Sequence, residues 1–211
     1  MSKISLKHSG GNVVSLNSPT SAPTSADVAF KLPNADGTSG QVLKTDGSGN
    51  LSFVAQSGGK FASYAVIADQ KSQGTAGGTP PNTTAYNTRD LNTILTDPDT
   101  IVSISSNQFT LQAGTYLINA SAPAYQAQRN QILIYNVTDS TVVAVGTSEY
   151  CGNSESVQTR SFAKNKTTIS GSKVFDVRHR VGNADATYGF GVDANAGQVE
   201  IYTIVEIFKE A

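Results

Sequence analysis

The C-terminal stretch Gly197–Ala211, GQVEIYTIVEIFKEA, decides the fold. Its apolar residues fall on both parities. Val199, Ile201, Val205 and Ile207 share one; Tyr202, Ile204 and Phe208 share the other, with Glu200 and Glu206 among them. Successive side chains of a strand point to opposite faces, so a sheet with one buried face shows apolar residues on one parity only. Two readings account for the doubled pattern. Either the strand is central in a thick monomeric core, or its second face packs on another chain. At about 25 cal/mol/Å² of buried apolar surface, the second arrangement stabilises association by several kcal/mol.

Upstream, Lys173–Val181 (KVFDVRHRV) has a related character. Phe175, Val177, His179 and Val181 share one parity, and Asp176, Arg178 and Arg180 the other. If one sheet holds both segments, Arg178 and Arg180 face Glu200 and Glu206 of a neighbouring chain. An intrachain ladder or a solvated face is the alternative. His179, on the apolar parity, reads as a core or interface histidine satisfied by one hydrogen bond rather than as a ligand.

From Phe61 to Phe208 the chain alternates apolar and polar residues over many short segments, FASYAVIAD, DTIVSIS, QFTLQ, NQILIYNV and TVVAVGT among them. Turn residues separate the segments, and no stretch sustains a 3.6-residue period. Asn87–Leu95 (NTRDLNTIL) is the one place where a short helical turn is expected. The count comes to around ten strands, which predicts a two-sheet antiparallel sandwich.

Composition narrows the function. The chain has 211 residues, 15% of them charged, and a net charge of −1. Without a basic surplus, a nucleic-acid partner is not expected. No apolar run approaches the length of a membrane span, so membrane insertion is not expected either. The opening MSKISLKHSGG lacks the apolar region of a signal peptide, and synthesis in a cytoplasm is expected. The single cysteine, Cys151, reads as a small buried residue. No nucleophile, zinc, P-loop or dinucleotide motif occurs, and no cofactor or metal is expected. The carboxylates Asp97, Asp99, Asp139, Glu149 and Glu155 lie in turns and loops, so an enzyme is not expected.

Residues 1–31 are rich in Ser, Pro and Ala. ISLKHSGG and NVVSLNS read as short strands around Gly10–Gly11, and Pro19 and Pro23 then interrupt regular structure. This arm has too little apolar surface to offset its own ordering entropy, so it is expected to order against identical chains or a docking protein. Leu32–Phe53, LPNADGTSGQVLKTDGSGNLSF, follows. Gln41–Thr45 and Leu51–Val54 read as strands flanking DGSGN, anchored by Val42, Leu43, Leu51 and Phe53. Asp46, Ser48 and Asn50 alternate as in a calcium loop but lack an acidic closing residue, so a plain turn is expected. Ser57-Gly58-Gly59 reads as a hinge.

Leu32–Phe53 resembles a segment of tail fibres and other appendages of tailed bacteriophages, marine and cyanobacterial phages above all. The second part resembles the C1q-like and tumour-necrosis-factor-like jelly roll in three places: FASYAVIAD before the long Gly/Pro loop 70–85, QAGTYLINASAPAY, and the terminal GQVEIYTIVEIFKEA. Together the resemblances imply an all-β, homotrimeric protein with an extended attachment arm at 1–31, a fibre-like β segment and hinge at 32–60, and a jelly-roll head at 61–211. They imply a virion component, placed in the phage tail, whose arm grips another virion protein such as a baseplate or tail component. The trimer interface is expected at Tyr202, Ile204, Phe208, Arg178, Arg180, Glu200 and Glu206. The head is expected to bind a host surface glycan or protein through loop residues Tyr125, Asn130, Tyr150, Asn153, Asn183 and Tyr188, types that stack on and hydrogen-bond sugars. The alternative is a purely structural fibre, capsid decoration or adaptor whose head is a trimerisation clamp.

Overall fold

The computed structural model describes residues 3–7, 9–11, 13–17, 20–21, 29–56 and 60–211, with backbone pairing alone for 3–7 and 13–17. The chain divides into two compact units, Met1–Ser57 and Gly58–Ala211. In the first, β1 (Lys3–Lys7) pairs antiparallel with β2 (Val13–Asn17), the hairpin expected around Gly10–Gly11. A second hairpin joins β3 (Gln41–Thr45) to β4 (Leu51–Ala55). Its turn is held by Asp46, whose Oδ1 accepts the Ser48 and Asn50 N–H groups at 2.8 and 3.1 Å. The carboxylate that would serve a cation therefore closes a turn. The Lys31 N–H donates to the Gly49 carbonyl, and the Leu51 N–H to the Lys31 carbonyl, so the boundary expected at residue 31 falls inside a unit. His8, Pro19, Pro23, the Ser57–Gly59 hinge and part of the arm over 1–31 lie outside the described residues.

Among the described residues the second unit holds twelve strands: β5 (Phe61–Lys71), β6 (Asn87–Thr88), β7 (Thr93–Thr96), β8 (Val102–Ser105), β9 (Gln108–Leu111), β10 (Gly114–Tyr125), β11 (Gln128–Asn136), β12 (Thr141–Val145), β13 (Glu149–Cys151), β14 (Gln158–Ile169), β15 (Lys173–Val181) and β16 (Glu200–Glu210). A five-stranded sheet runs β14-β10-β16-β5-β7. A seven-stranded sheet runs β12-β11-β15-β9-β8, with β13 beside β11 and β6 beside β15. Every pairing in both sheets is antiparallel. The chain crosses between sheets at β5–β6, β6–β7, β7–β8, β9–β10, β10–β11, β13–β14, β14–β15 and β15–β16. This is the two-sheet antiparallel sandwich that the alternation predicts, in the jelly-roll form that the resemblance implies.

The two-residue period is clearest in β10. In β10, Tyr116, Ile118, Ala120, Ala122 and Ala124 are buried, whereas Thr115, Leu117, Asn119 and Ser121 are partly exposed. The buried set joins Ile132 and Ile134 of β11, Phe175 and Val177 of β15, and Val205 and Ile207 of β16 in one core. Phe109 and Phe175 stack at its centre with ring centroids 5.4 Å apart. Cys151 is buried beside Ala124, Ala127, Val181 and Phe190, as its lone occurrence suggests.

The helical turn expected over Asn87–Leu95 is absent; the segment is extended and contains β6 and β7. Asn87, Arg89 and Leu91 are buried while Thr88, Asp90 and Asn92 are not, so its true period is two. An arginine in the inward series hides that alternation from a hydropathy reading. The strap over residues 72–86 lies against residues 188–192, with the Gly77 N–H donating to the Gly191 carbonyl at 2.9 Å. A Cβ on Gly77 would sit 2.5 Å from the Phe190 carbonyl oxygen, so only glycine allows this approach.

Phe175 is fully buried against Phe109 and cannot be replaced by the surrounding strands. Phe175→Ala is expected to cost about 3–5 kcal/mol in urea unfolding. A loss under about 1 kcal/mol would place the centre of the core elsewhere.

Candidate binding site

Polar side chains at one end of the sandwich organise its loops. Arg89 is fully buried. Its Nε donates to Thr203 Oγ1 at 3.0 Å, Nη1 to the Pro123 carbonyl at 3.3 Å and Nη2 to the Phe190 carbonyl at 2.8 Å. The guanidinium also lies 4.0 Å from the Phe190 ring centroid. Burial brings its pKa down to about 9, opposed by Asp69 and Asp90, so it stays protonated at neutral pH. Asp69, itself buried, has its pKa raised by desolvation against the pull of Lys71, whose Nζ lies 3.1 Å from Oδ1.

His179 sits beside this group. Its Nε2 lies 3.1 Å from Asn130 Oδ1, and its ring stacks on Phe190 at 5.9 Å. The Asn130 amide nitrogen donates to Thr159 Oγ1, which leaves Oδ1 as acceptor and assigns the His179 proton to Nε2. Burial, then the Arg89 charge, pushes the His179 pKa well below 6.5. This is the singly hydrogen-bonded core histidine that its parity predicts.

Asn130 is therefore not a surface residue. It occupies the inward parity of β11 and is 4% exposed, so it reaches the surface only as part of the lining of the depression described below. The other loop candidates divide. Tyr125 and Tyr188 meet edge to face at 6.1 Å, and Asn183 donates to the Gln126 carbonyl at 2.8 Å, pinning the neighbouring loop. Asn153 is exposed after β13. Tyr150 is 65% exposed and lines a depression of about 720 Å³ on the outer face of the seven-stranded sheet.

Strand register builds that depression. Gln131 of β11 stands opposite Arg180 of β15, and Arg129 stands opposite Tyr150 of β13. Gln131 is fixed: its Nε2 donates to the Gly146 carbonyl at 3.0 Å and Ser148 Oγ at 3.1 Å, and its Oε1 accepts the Tyr86 hydroxyl at 3.3 Å. Glu149 also lines the wall, and its Oε1 accepts the Thr147 hydroxyl at 2.7 Å. Sequence reading missed Tyr86, Arg129 and Gln131. Nothing in the linear pattern brings them to Tyr150; only the pairing does.

The expected trimer-interface residues also divide. β15 and β16 lie in different sheets, so Arg178 and Arg180 do not share a face with Glu200 and Glu206. Arg178 bonds Asp176 at 2.9 Å and stacks over Tyr135 at 3.6 Å. Glu200 is buried and accepts the N–H groups of Gly74, Ala194 and Asn195, which lower its pKa. A β-bulge between Ile201 and Ile204 exchanges faces, turning Tyr202 inward, where its hydroxyl donates to the Thr75 carbonyl at 2.7 Å. Ile204, Glu206 and Phe208 remain on the outer face of the five-stranded sheet.

That face is ordered in cross-strand rows. Tyr64, Phe208, Leu117 and Lys166 form one; Val66, Glu206, Asn119 and Lys164 the next; Ile204, Ser121 and Phe162 the third. Tyr64 is 47% and Phe162 56% exposed. The cations here include Lys164, Lys166, which pairs with Glu210 at 2.7 Å, and Arg160, whose Nη1 donates to Ser121 Oγ at 3.0 Å. Among the described residues no cluster of three or more His, Cys, Asp or Glu could hold a metal ion.

The sequence matches no protein-family model and no curated protein. Solved structures of similar shape include murine APRIL, with 7% identity and TM-score 0.45 over 70% of this chain and 98% of that one. The globular domain of zebrafish complement 1qA protein has 14% identity and TM-score 0.43 over 70% of this chain and 96% of that one. The jelly roll here is defined by its own strand order.

A neutral buried histidine makes stability pH-dependent. With its folded pKa depressed, the unfolded chain binds the extra proton as pH falls below about 6.5, so stability is intact above that value and declines below it. The slope contributed is at most about 1.4 kcal/mol per pH unit. Urea melts at mildly acidic and neutral pH should show this slope in the native protein and its loss in His179→Gln. An identical slope in both would assign the acid sensitivity to other groups.

Proposed function

We propose that this protein is a short bacteriophage tail fibre, trimeric through its jelly-roll head and adhesive toward the host surface. The observation that carries the reading is the outer face of the five-stranded sheet. Tyr64, Phe162 and Phe208, from three strands, leave apolar surface open that a single chain does not cover. Monomeric proteins rarely leave large contiguous apolar patches exposed. Aromatic side chains present about 150–250 Å² each. Even partial burial at about 25 cal/mol/Å² stabilises association by several kcal/mol per chain. Glu206 and Lys164, in one row of this face, supply polar contacts of opposite sign to neighbouring copies.

The likeness of Leu32–Phe53 to phage appendages supports placement in a virion, with residues 1–31 gripping a baseplate or tail protein. The β3–β4 hairpin leaves Val42, Leu43 and Phe53 exposed, as suits a segment that packs on identical chains. Three heads on one axis present three copies of any binding surface, and avidity then makes weak single sites sufficient for adhesion. No catalytic role is part of this reading.

Phe162 is exposed in the single chain, so Phe162→Asp should fold normally yet sediment as a monomer where the native protein sediments as a trimer. A native protein that is monomeric at micromolar concentration refutes the interface. The labelled full-length trimer should stain some cyanobacterial or marine bacterial strains and spare others. A folded trimer that stains none leaves the structural clamp as its role.

A further inference from the structure

Two of the five arginines, Arg129 and Arg180, make no side-chain hydrogen bond or ion pair among the described residues, and both line the depression on the seven-stranded sheet. The other three are engaged: Arg89 with Thr203, Arg160 with Ser121, and Arg178 with Asp176. Arg129 and Arg180 are diagonal neighbours, since Gln131 lies opposite Arg180 and Arg129 is two residues along the same face of β11. Diagonal neighbours across an antiparallel pair stand roughly 7–8 Å apart, within the reach of two arginine side chains converging on one ligand. Gly182 follows β15 opposite Arg129, and its N–H donates to the Arg129 carbonyl at 2.8 Å.

The remaining lining sets the ligand class. Tyr150 is 65% exposed and Tyr86 36%, so both offer ring surface to solvent. Tyr86 is anchored through Gln131, which gives the site a floor that is ordered before anything binds. Exposed rings on a fixed floor suit the C–H face of a pyranose, and unpaired guanidinium groups suit a carboxylate or sulfate. Glu149 is the one carboxylate of the lining; it leaves the depression net positive and accepts sugar hydroxyls.

We propose that this depression is a binding site for an acidic saccharide, a uronate or a sulfated sugar. Arg129 and Arg180 hold the anionic group, and Tyr150 and Tyr86 carry the ring. The proposal rests on the adhesion reading above and names its ligand. It differs from the loop set read in the sequence, because the site lies on a sheet face and shares only Tyr150 and the largely buried Asn130 with that set.

The full-length protein is titrated with an oligogalacturonate, a sulfated galactose oligomer, a neutral galactose oligomer of equal length and hexaglutamate. Saturable binding of an acidic saccharide is expected, weakened by salt and at least about tenfold tighter than that of the neutral oligomer, the scale of one lost charge-assisted bond. Arg180→Ala and Tyr150→Ala should each weaken it several-fold without moving the melting temperature or the oligomeric state. Equal binding of the neutral oligomer or of hexaglutamate overturns the proposal. So does no binding of either acidic saccharide, or acidic-saccharide binding that survives both substitutions. Cell staining that persists in an Arg180→Ala/Tyr150→Ala double variant removes this site and leaves adhesion standing. Saccharide binding without staining of any strain keeps the site and removes adhesion.

Discussion

One end of the sandwich depends on one buried guanidinium. Arg89 is anchored by its backbone to the seven-stranded sheet, where its N–H donates to the Val177 carbonyl at 2.8 Å. Its side chain reaches the five-stranded sheet, donating to Thr203 of β16 and the Pro123 carbonyl of β10. It also fixes the loop through Phe190. A cation without these acceptors would be too costly to bury, so the loops that supply them are held to one arrangement. Phe190 then presents its ring to His179, and His179 fixes Asn130 on β11. The outward neighbours of Asn130 on that strand are Arg129 and Gln131, so the polar core sets the backbone from which the surface depression is built.

Sequence reading recovered the architecture because the sandwich is written in a two-residue period. In β10, β15 and β16 the inward positions are apolar over most of their length, and the sheet layers follow. The exceptions are the polar residues of the core. Arg89 made Asn87–Leu95 read as a helical turn, and Asn130 on the inward parity read as a loop residue open to ligand. In both cases a buried polar group, satisfied by partners far along the chain, imitated a surface residue. Nothing local distinguishes the two, since the partners of Arg89 are 34, 101 and 114 residues away.

Register was the second obscured quantity. The bulge between Ile201 and Ile204 inserts one residue into β16 relative to β5. Strict alternation assigned Tyr202 to the outer face with Ile204 and Phe208; the bulge sends it inward, and its hydroxyl reaches the strap at Thr75. Glu200 shares its direction and is taken up by backbone N–H groups of two loops. A one-residue slip reverses every side chain upstream of it, so a site built across strands cannot be assembled from parity alone.

The separation of β15 and β16 into opposite sheets accounts for the failed arginine–glutamate pairing and for the division of roles proposed for the head. An outer face that carried both the apolar rows of β16 and the charged row of β15 would meet conflicting demands. Association requires apolar groups to leave water, whereas Arg129 and Arg180 must remain solvated until an anion replaces their water. Placed on opposite faces of the sandwich, the two surfaces do not compete. The face with Tyr64, Phe162 and Phe208 turns toward neighbouring copies in the proposed trimer. The face with Arg180 and Tyr150 then points away from the axis, so trimerisation multiplies the exposed sites without covering them.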